Sequence, residues 1–568
     1  MIRMGMKTRT SGEVELTQDP HTFPNTGLSL AVRWLADRVN WLAVVDGLLP
    51  WDTQRAKIAP STVLLTLVMN VLTQRNPLYR VEDWVATLPL PMLWGDAIQA
   101  SQFNDDALGR VLEDVADHGQ ALMATLGTRM QAVEQAGPRF LHADTSAFAL
   151  FGDYPDTAGP TAPVQITYGH SKDHRPDLRQ MMTGLTVDDQ GQVVAGTMLS
   201  GNTSDRQWHP DWLEQLAGEV PEDFWRGSCY ISDAAVVTHA ALTRVASMDM
   251  DWLGRLPASY RLAKHLKEQA WADGGVWTDG GVLSPKRGAA HYRVQTFDVV
   301  LYDQPTRAFV YHSDALDKKK EHALQREIRQ ESDALAAERK GLERITFDCE
   351  ADARAAVDAA IRRIKPRWFR VDPVTTPTWV PIRRRGRPKK DAVPETRVGY
   401  RAGWRSAPPS PERIQHERER RSTFVLVSSR QTFSAMTALQ AYKRQDQDEH
   451  GFRWMKDPIH LGAFFLEKPA RVAGLGFLLL LALQFSRFMR AMVRHALADQ
   501  PALEIPHRKV QQPSDAVILD ALRALWVLRK EDGTGIWFQW GQVPTYTRRI
   551  LDALQIPVNR RFVWDPSE

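Results

Sequence analysis

Cysteine is almost absent from this 568-residue chain: there are two, Cys229 and Cys349, and neither stands in a CxxC or Cys/His ligand spacing. That argues against a disulfide framework and a structural zinc site, and it fits a reducing cytoplasm. An excess of one charge is also missing. Lys and Arg total 72 against 68 Asp and Glu, a net charge of +4, so any grip on a polyanion must come from local clusters. The opening MIRMGMKTRTSGE is basic and polar, without the apolar stretch of a secretory signal. The most apolar run, Val472 to Phe485, falls short of the ~20 residues that span a bilayer and is flanked by Arg471 and Arg487, so it reads as a buried core helix and no membrane is expected as a partner. What is present, 43% hydrophobic and 25% charged residues, describes a globular protein. At ~150 residues per domain its length predicts several units.

From Leu28 to Glu134 apolar residues recur at helical spacing, as in LSLAVRWLADRVNWLAVVDGLL and STVLLTLVMNVLT. The texture changes at Pro138. Phe140 to Ala143 reads as a strand running into Asp144, and Val164 to Tyr168, Met181 to Val187 and Val193 to Met198 as further strands, the last two joined by an Asp-Asp-Gln-Gly turn. A helix over 211–219, a strand from Ser228 to Ser232 ending at Asp233, a helix over 238–247 and a strand from Trp252 to Leu256 follow. This order resembles a ribonuclease H-like core. The expected fold class is therefore α/β: a ribonuclease H-like mixed sheet, interrupted by a large β-rich insertion and preceded by a helical N-terminal domain. The expected divisions are a disordered tail (1–27), the helical domain for end binding or dimerisation (28–136), the core's first part (137–256), the insertion with a basic loop (257–421), the core's second part (422–500) and a helical tail (501–568).

Phosphoryl transfer on DNA is served by two divalent ions ~3.5–4 Å apart, and magnesium prefers oxygen ligands. The useful pattern is acids at the ends of adjacent strands with another on a helix across them. Asp144 in FLHADTS and Asp233 in CYISDAA end strands placed first and fourth in the proposed core, although either acid alone is ordinarily a cap or turn residue. On one helix expected over Phe433 to Lys456, residues Tyr442, Gln445, Glu449 and Lys456 fall within roughly 60° of one face at ~100° per residue. Glu449 can ligate metal there, and Lys456 and Tyr442 can reach phosphates. A solvated polar helix is the bland alternative, and Asp446 points close to the same face, so helical geometry alone does not choose Glu449.

These residues resemble the DDE transposases of bacterial insertion sequences, in the group whose last catalytic helix carries Y-x2-R-x3-E-x6-K. Tyr442, Glu449 and Lys456 match, and Gln445 stands where many members have arginine. GHSKDHRPDL (Gly169 to Leu178), GNTSD (Gly201 to Asp205), SDAAVV (Ser232 to Val237) and EHGFRWMKDP (Glu449 to Pro458) follow in the expected order, and the leading WDTQRAKIAPSTVLLTLVMNVLTQRNPLYRVEDW is similar to the same branch. The resemblance implies Asp144, Asp233 and Glu449 as a metal-binding catalytic triad, two Mg2+ ions with Mn2+ as substitute, and double-stranded DNA as substrate, both terminal inverted repeats and target. It also implies a homodimer in the synaptic complex and a bacterial cytoplasmic, nucleoid-associated location. A ribonuclease H-like nuclease without strand transfer and a non-catalytic DNA-binding derivative are the alternatives.

Two further sets belong to the expected DNA surface. Lys172 and Arg175 lie in the loop after Gly169, and Arg385 and Arg387 lie in IRRRGRPKKDAVP, where an extended Arg-Gly-Arg could enter a narrow minor groove. A solvated basic loop is the alternative for the second set. His170 and His174 are set aside as ligands because this chemistry uses oxygen donors. Trp271 and Trp277 are assigned to core packing.

Overall fold

The computed structural model describes residues 22–558 apart from 55, 135–139, 153, 155–163, 172–174, 273–275, 383–394, 458–465, 467 and 533–534; the side chains of 446–448 and 531–537 are also left aside. It divides into two units, residues 1–254 with 440–568, and residues 255–439.

The first unit opens with a two-residue strand β1 (Thr22–Phe23) and helices α1 (Gly27–Arg38), α2 (Trp41–Leu48), α3 (Pro60–Leu72), the short α4 (Val81–Val85) and α5 (Leu90–Trp94), and the long α6 (Asp105–Glu134). Pro60 begins α3, where its missing N–H costs nothing. The core then supplies β2 (Phe140–Leu150), β3 (Arg179–Asp188), β4 (Val193–Ser200), α7 (Asp205–Glu219), α8 (Glu222–Trp225), β5 (Cys229–Ser232), α9 (His239–Ser247) and β6 (Asp251–Arg255). Thr238 caps α9 by accepting from the Ala241 amide. The strands lie in the order β4-β3-β2-β5-β6. β2, β3 and β4 are antiparallel, and β5 and β6 run parallel to β2. This is the ribonuclease H-like order that the sequence predicts.

Two expectations need correction here. The strand expected over 164–168 is reduced to one bridge, Thr167 with Gln180. β2 does not stop at Asp144 but continues six residues to Leu150, so Asp144 sits within a strand, directly opposite Leu185.

The second unit contains α10 (Arg261–Trp271), β7 (Thr278–Val282), β8 (His291–Leu301), β9 (Gln304–Ser313), the charged α11 (Asp314–Leu342), β10 (Thr346–Phe347), α12 (Glu350–Ile364), β11 (Arg370–Pro381), β12 (Thr396–Ala407), α13 (Pro411–Ser422) and β13 (Thr423–Ser428), with α14 (Ala435–Lys443) beginning in it. β13, β9, β8 and β7 form an antiparallel run. Trp271 and Trp277 pack against His312, with Arg293 over both indoles. A separate small core joins Leu335 and Leu342 of α11, Ala353, Val357 and Ala360 of α12, and Ala402 and Trp404 of β12.

Back in the first unit, α15 (Asp446–Lys456) and α16 (Pro469–Ala496) complete the core, followed by β14 (Leu503–Ile505), β15 (Arg508–Val510), α17 (Asp515–Arg523), β16 (Val527–Asp532), β17 (Gly535–Trp540) and α18 (Thr545–Ala553). The tail is thus mixed rather than helical. Its β16 pairs with β1, so the end of the expected disordered tail is a strand, and residues 1–21 lie outside the described residues. One hydrophobic cluster runs from Leu28 to Ile556 and takes in the N-terminal helices, the sheet and α16. α16 is long and apolar enough to cross a membrane, but 94% of its most apolar window is buried within the protein, as the core-helix reading expects.

Candidate active site

Paired residues on adjacent strands share a sheet face. The row Asp144–Leu185–Gly196 therefore crosses β2, β3 and β4 on one face. Two helices lie on that face. A Cβ on Gly196 would come within 3.2 Å of Leu480 on α16, and a Cβ on Gly451 of α15 would come within 2.9 Å of Leu185. The Lys456 ammonium, at the other end of α15, lies 5.8 Å from the Phe148 ring centre, and Phe148 shares the Asp144 face of β2 four residues on. Glycine at 451 lets the helix settle closely over Leu185, so α15 crosses beside Asp144.

The second acid arrives through parallel pairing. His142 faces Ile231 across β2 and β5. Extending that register by two residues sets Asp144 opposite Asp233, just beyond the end of β5. Each carboxylate is oriented locally: the Thr145 amide donates to Asp144 Oδ1 at 2.7 Å, and the Ala235 amide donates to Asp233 Oδ1 at 2.7 Å. Both acids are half-buried. The donors are carboxylate oxygens on neighbouring positions, which suits a hard divalent cation.

The far face braces the same strands. His209 of α7 bridges the Tyr230 hydroxyl and the Ser232 hydroxyl, each 3.0 Å away, and all three are buried. This tether holds the end of β5 from which Asp233 emerges. Thr145 Oγ1 donates to Asp205 at 2.5 Å, which ties β2 to the first turn of α7. The GNTSD segment draws notice in the sequence, but nothing there assigns Asp205 a brace, and a lone histidine gives no signal for His209. On the Asp144 face, His142 is fully buried with neither ring nitrogen hydrogen-bonded among the described residues. Burial, helped by Arg444, pushes its pKa down to about 3, so the ring is neutral and brings no charge to Asp144.

The third group stands differently from the expected single helix. The segment breaks at Arg444 and Gln445, which separate α14 from α15. Tyr442 therefore belongs to α14 and Gln445 precedes α15, so the continuous helical stripe through Tyr442, Gln445, Glu449 and Lys456 does not hold. Glu449 lies on α15 and is exposed, while Lys456 is half-buried. Asp446 is the first residue of α15, with its side chain outside the description. Among the described residues, no three His, Cys, Asp or Glu side chains stand close enough to hold a metal ion. Arg175 is exposed, paired with Asp177 at 2.7 Å and lying over Phe151. Lys172, Arg385 and Arg387 lie outside the described residues.

A family model described as a Transposase DDE domain matches residues 157–485, and one described as a domain of unknown function, DUF4277, matches residues 30–126. The first match includes Asp233 and Glu449 and begins after Asp144. No curated protein matches the chain. Among solved structures, a cryo-EM structure of the piggyBac transposase synaptic complex with hairpin DNA is similar at 9% identity and a TM-score of 0.35, over 88% of this chain and 79% of that one.

Proposed function

This chain belongs to the DDE transposase domain family, whose model spans more than half of it, and from that premise we propose that it cuts the ends of a bacterial insertion sequence and joins them to target DNA. What supports the reading is the parallel register of β2 and β5, which, carried two residues past its last pair of His142 with Ile231, brings Asp144 level with Asp233, with α15 crossing the same face. Asp144, Asp233 and Glu449 would hold two Mg2+ ions, or Mn2+ in their place, which when bound supply charge relief at the phosphate and a more acidic attacking hydroxyl. Cleavage is attack of a water oxygen on phosphorus with loss of a 3′ oxygen. Joining is attack of that 3′-hydroxyl oxygen on a target phosphate, which forms a new P–O bond, breaks the target's own P–O3′ bond and releases a target 3′-hydroxyl that carries the proton; the same residues serve both.

The chain's own residues then orient DNA. Lys456, already on the Asp144 face, takes a phosphate as a point charge, and Tyr442 and Gln445 donate hydrogen bonds to the same backbone. Lys172 and Arg175 hold the scissile strand. Arg175 gives up Asp177 to do so, a small loss because water screens an exposed pair. Arg385 and Arg387 extend the contact toward a minor groove. The partners are terminal inverted repeats and target duplex, bound by two copies of the chain in the cytoplasm.

The test is cleavage and strand transfer by the full chain on DNA carrying the element's ends. Asp144→Asn, Asp233→Asn and Glu449→Gln are each expected to lower both activities more than ~100-fold, since loss of transition-state charge stabilisation costs at least that much, while end binding is largely retained. Wild-type activity in any one variant removes that residue from the triad. Cleavage without joining by the wild type leaves a nuclease.

A further inference from the structure

β11 and β12 pair at twelve successive positions, from Arg370 with Ala407 to Pro381 with Thr396, with no shift of register. At ~3.4 Å per residue this ribbon is about 37 Å long, close to the ~34–36 Å of one duplex turn. Its two faces differ. Tyr400, Ala402 and Trp404 point one way, and Ala402 and Trp404 are buried against α11 and α12. Arg397, Gly399, Arg401, Gly403 and Arg405 point the other way, and the three arginines are exposed. Successive arginines are four residues apart, about 14 Å. β10 pairs with β12 beside Arg401 and covers Gly399, where a Cβ would come within 2.8 Å of Thr346, so glycine is what fits between the first two arginines.

The acids near this row are already engaged. Asp348 pairs with Arg397, Asp372 with Arg370, and Glu343, beside Gly403, with Arg339. Arg401 and Arg405 have no ion-pair partner among the described residues. In sequence, the basic run Arg383 to Lys390 connects the two strands at the far end of the ribbon.

We infer that this face of the ribbon is a second DNA-binding surface, which lies along a duplex and holds its phosphates through Arg401 and Arg405. The ~14 Å interval matches a major groove ~12 Å wide, so neighbouring arginines reach opposite groove walls. Single strands are gripped by aromatic platforms on which bases stack, and this face has none: its β11 members between Asp372 and Pro381 are Val374, Thr376, Thr378 and Val380. Packing of the other face on two helices fixes the ribbon before DNA arrives and lowers the ordering cost of binding. The contact follows charge and shape, so it is insensitive to base sequence.

This inference rests on the DNA substrate proposed above, and the experiment separates the two. Affinity of the full chain for duplexes with and without the element's ends is measured from low to moderate salt. Arg401→Ala/Arg405→Ala is expected to weaken both duplexes alike and to reduce the slope of log K against log salt by about 2, at ~0.9 for each phosphate no longer neutralised. Arg401→Lys/Arg405→Lys is expected to restore the slope, which a merely misfolded ribbon would not do. An unchanged slope in the alanine variant, beside a wild type that binds duplex, overturns the ribbon alone. A wild type that binds no duplex overturns the substrate reading as well. Tighter binding of a single strand than of duplex, abolished by the alanine pair, overturns the duplex assignment.

Discussion

Glu134, in the last turn of α6, keeps its proton at neutral pH because burial, and then the neighbouring Asp188, push its pKa up to about 8. Asp188 is itself raised by burial, although Gln131 and two backbone amides donate to it. The unfolded chain releases the Glu134 proton near 4.5 and the folded chain near 8, so this group erodes stability progressively as pH rises through that window. Glu134→Gln should therefore match the wild type in urea unfolding at pH 4 and exceed it at pH 8 by on the order of 1 kcal/mol. Parallel pH profiles would reject this. His209 makes a second case at the same scale. His209→Ala takes a partner from both Tyr230 and Ser232, which should cost about 2 kcal/mol and loosen the strand that presents Asp233. Its turnover should fall while DNA affinity holds; if both stay at wild-type values, the brace has no part in the site.

Elements meet in the first unit through close backbone approach, and glycine permits it at chosen points. A Cβ on Gly127 of α6 would stand 1.9 Å from the Val194 carbonyl on β4, and one on Gly474 of α16 would stand 1.9 Å from the Leu112 carbonyl on α6. Backbone cannot give way as a side-chain tip can, so Gly127→Ala should destabilise by about 1–3 kcal/mol. Gly218 of α7 has nothing within 4 Å of a built Cβ, and Gly218→Ala should be neutral or stabilise by up to ~1 kcal/mol. Equal unfolding midpoints for the two variants would contradict the packing argument. The sequence shows such elements where one pattern governs them: β3, β4, β5 and β6 are apolar runs between turn signals, and α11 announces itself by length and charge. It conceals the ribbon, because Pro373, Pro377 and Pro381 punctuate β11 and glycines punctuate β12, and only one face is buried. β1 is concealed for another reason, since its partner β16 lies at the opposite end of the chain and no local pattern reports that pairing. Of the proposed acids, Asp144 and Asp233 draw notice in the sequence because an apolar strand leads into each. Choosing among Asp446, Asp448 and Glu449 depends on where α15 begins and what it packs against, which helical periodicity does not contain.

At the scale of the whole molecule, the apolar length of α16 is consumed inside a single core shared with α6 and the sheet; Asp144 stands opposite Leu185, a member of that core, and Asp233 follows directly on the end of β5. An ion bound by Asp144 and Asp233 therefore couples to unfolding of the whole first unit. A ligand that binds only the native state adds RT ln(1 + [L]/Kd), about 2.7 kcal/mol at a hundredfold excess over Kd. Mg2+ or Mn2+ should raise the thermal midpoint of the DNA-free protein in a concentration-dependent way, and EDTA should reverse it. Asp144→Asn and Asp233→Asn should each unfold in EDTA no lower than the wild type, because each removes one of two neighbouring carboxylates, and should gain little when the ion is added. Glu449→Gln serves as the discriminating variant, since Glu449 is exposed on α15 and no three-residue metal group is formed among the described residues. If Glu449 joins the ion only when DNA is bound, that variant should keep the wild-type rise without DNA and lose cleavage with it. A rise of equal size in the wild type and both aspartate variants would place the ion elsewhere and overturn the assignment of the strand acids.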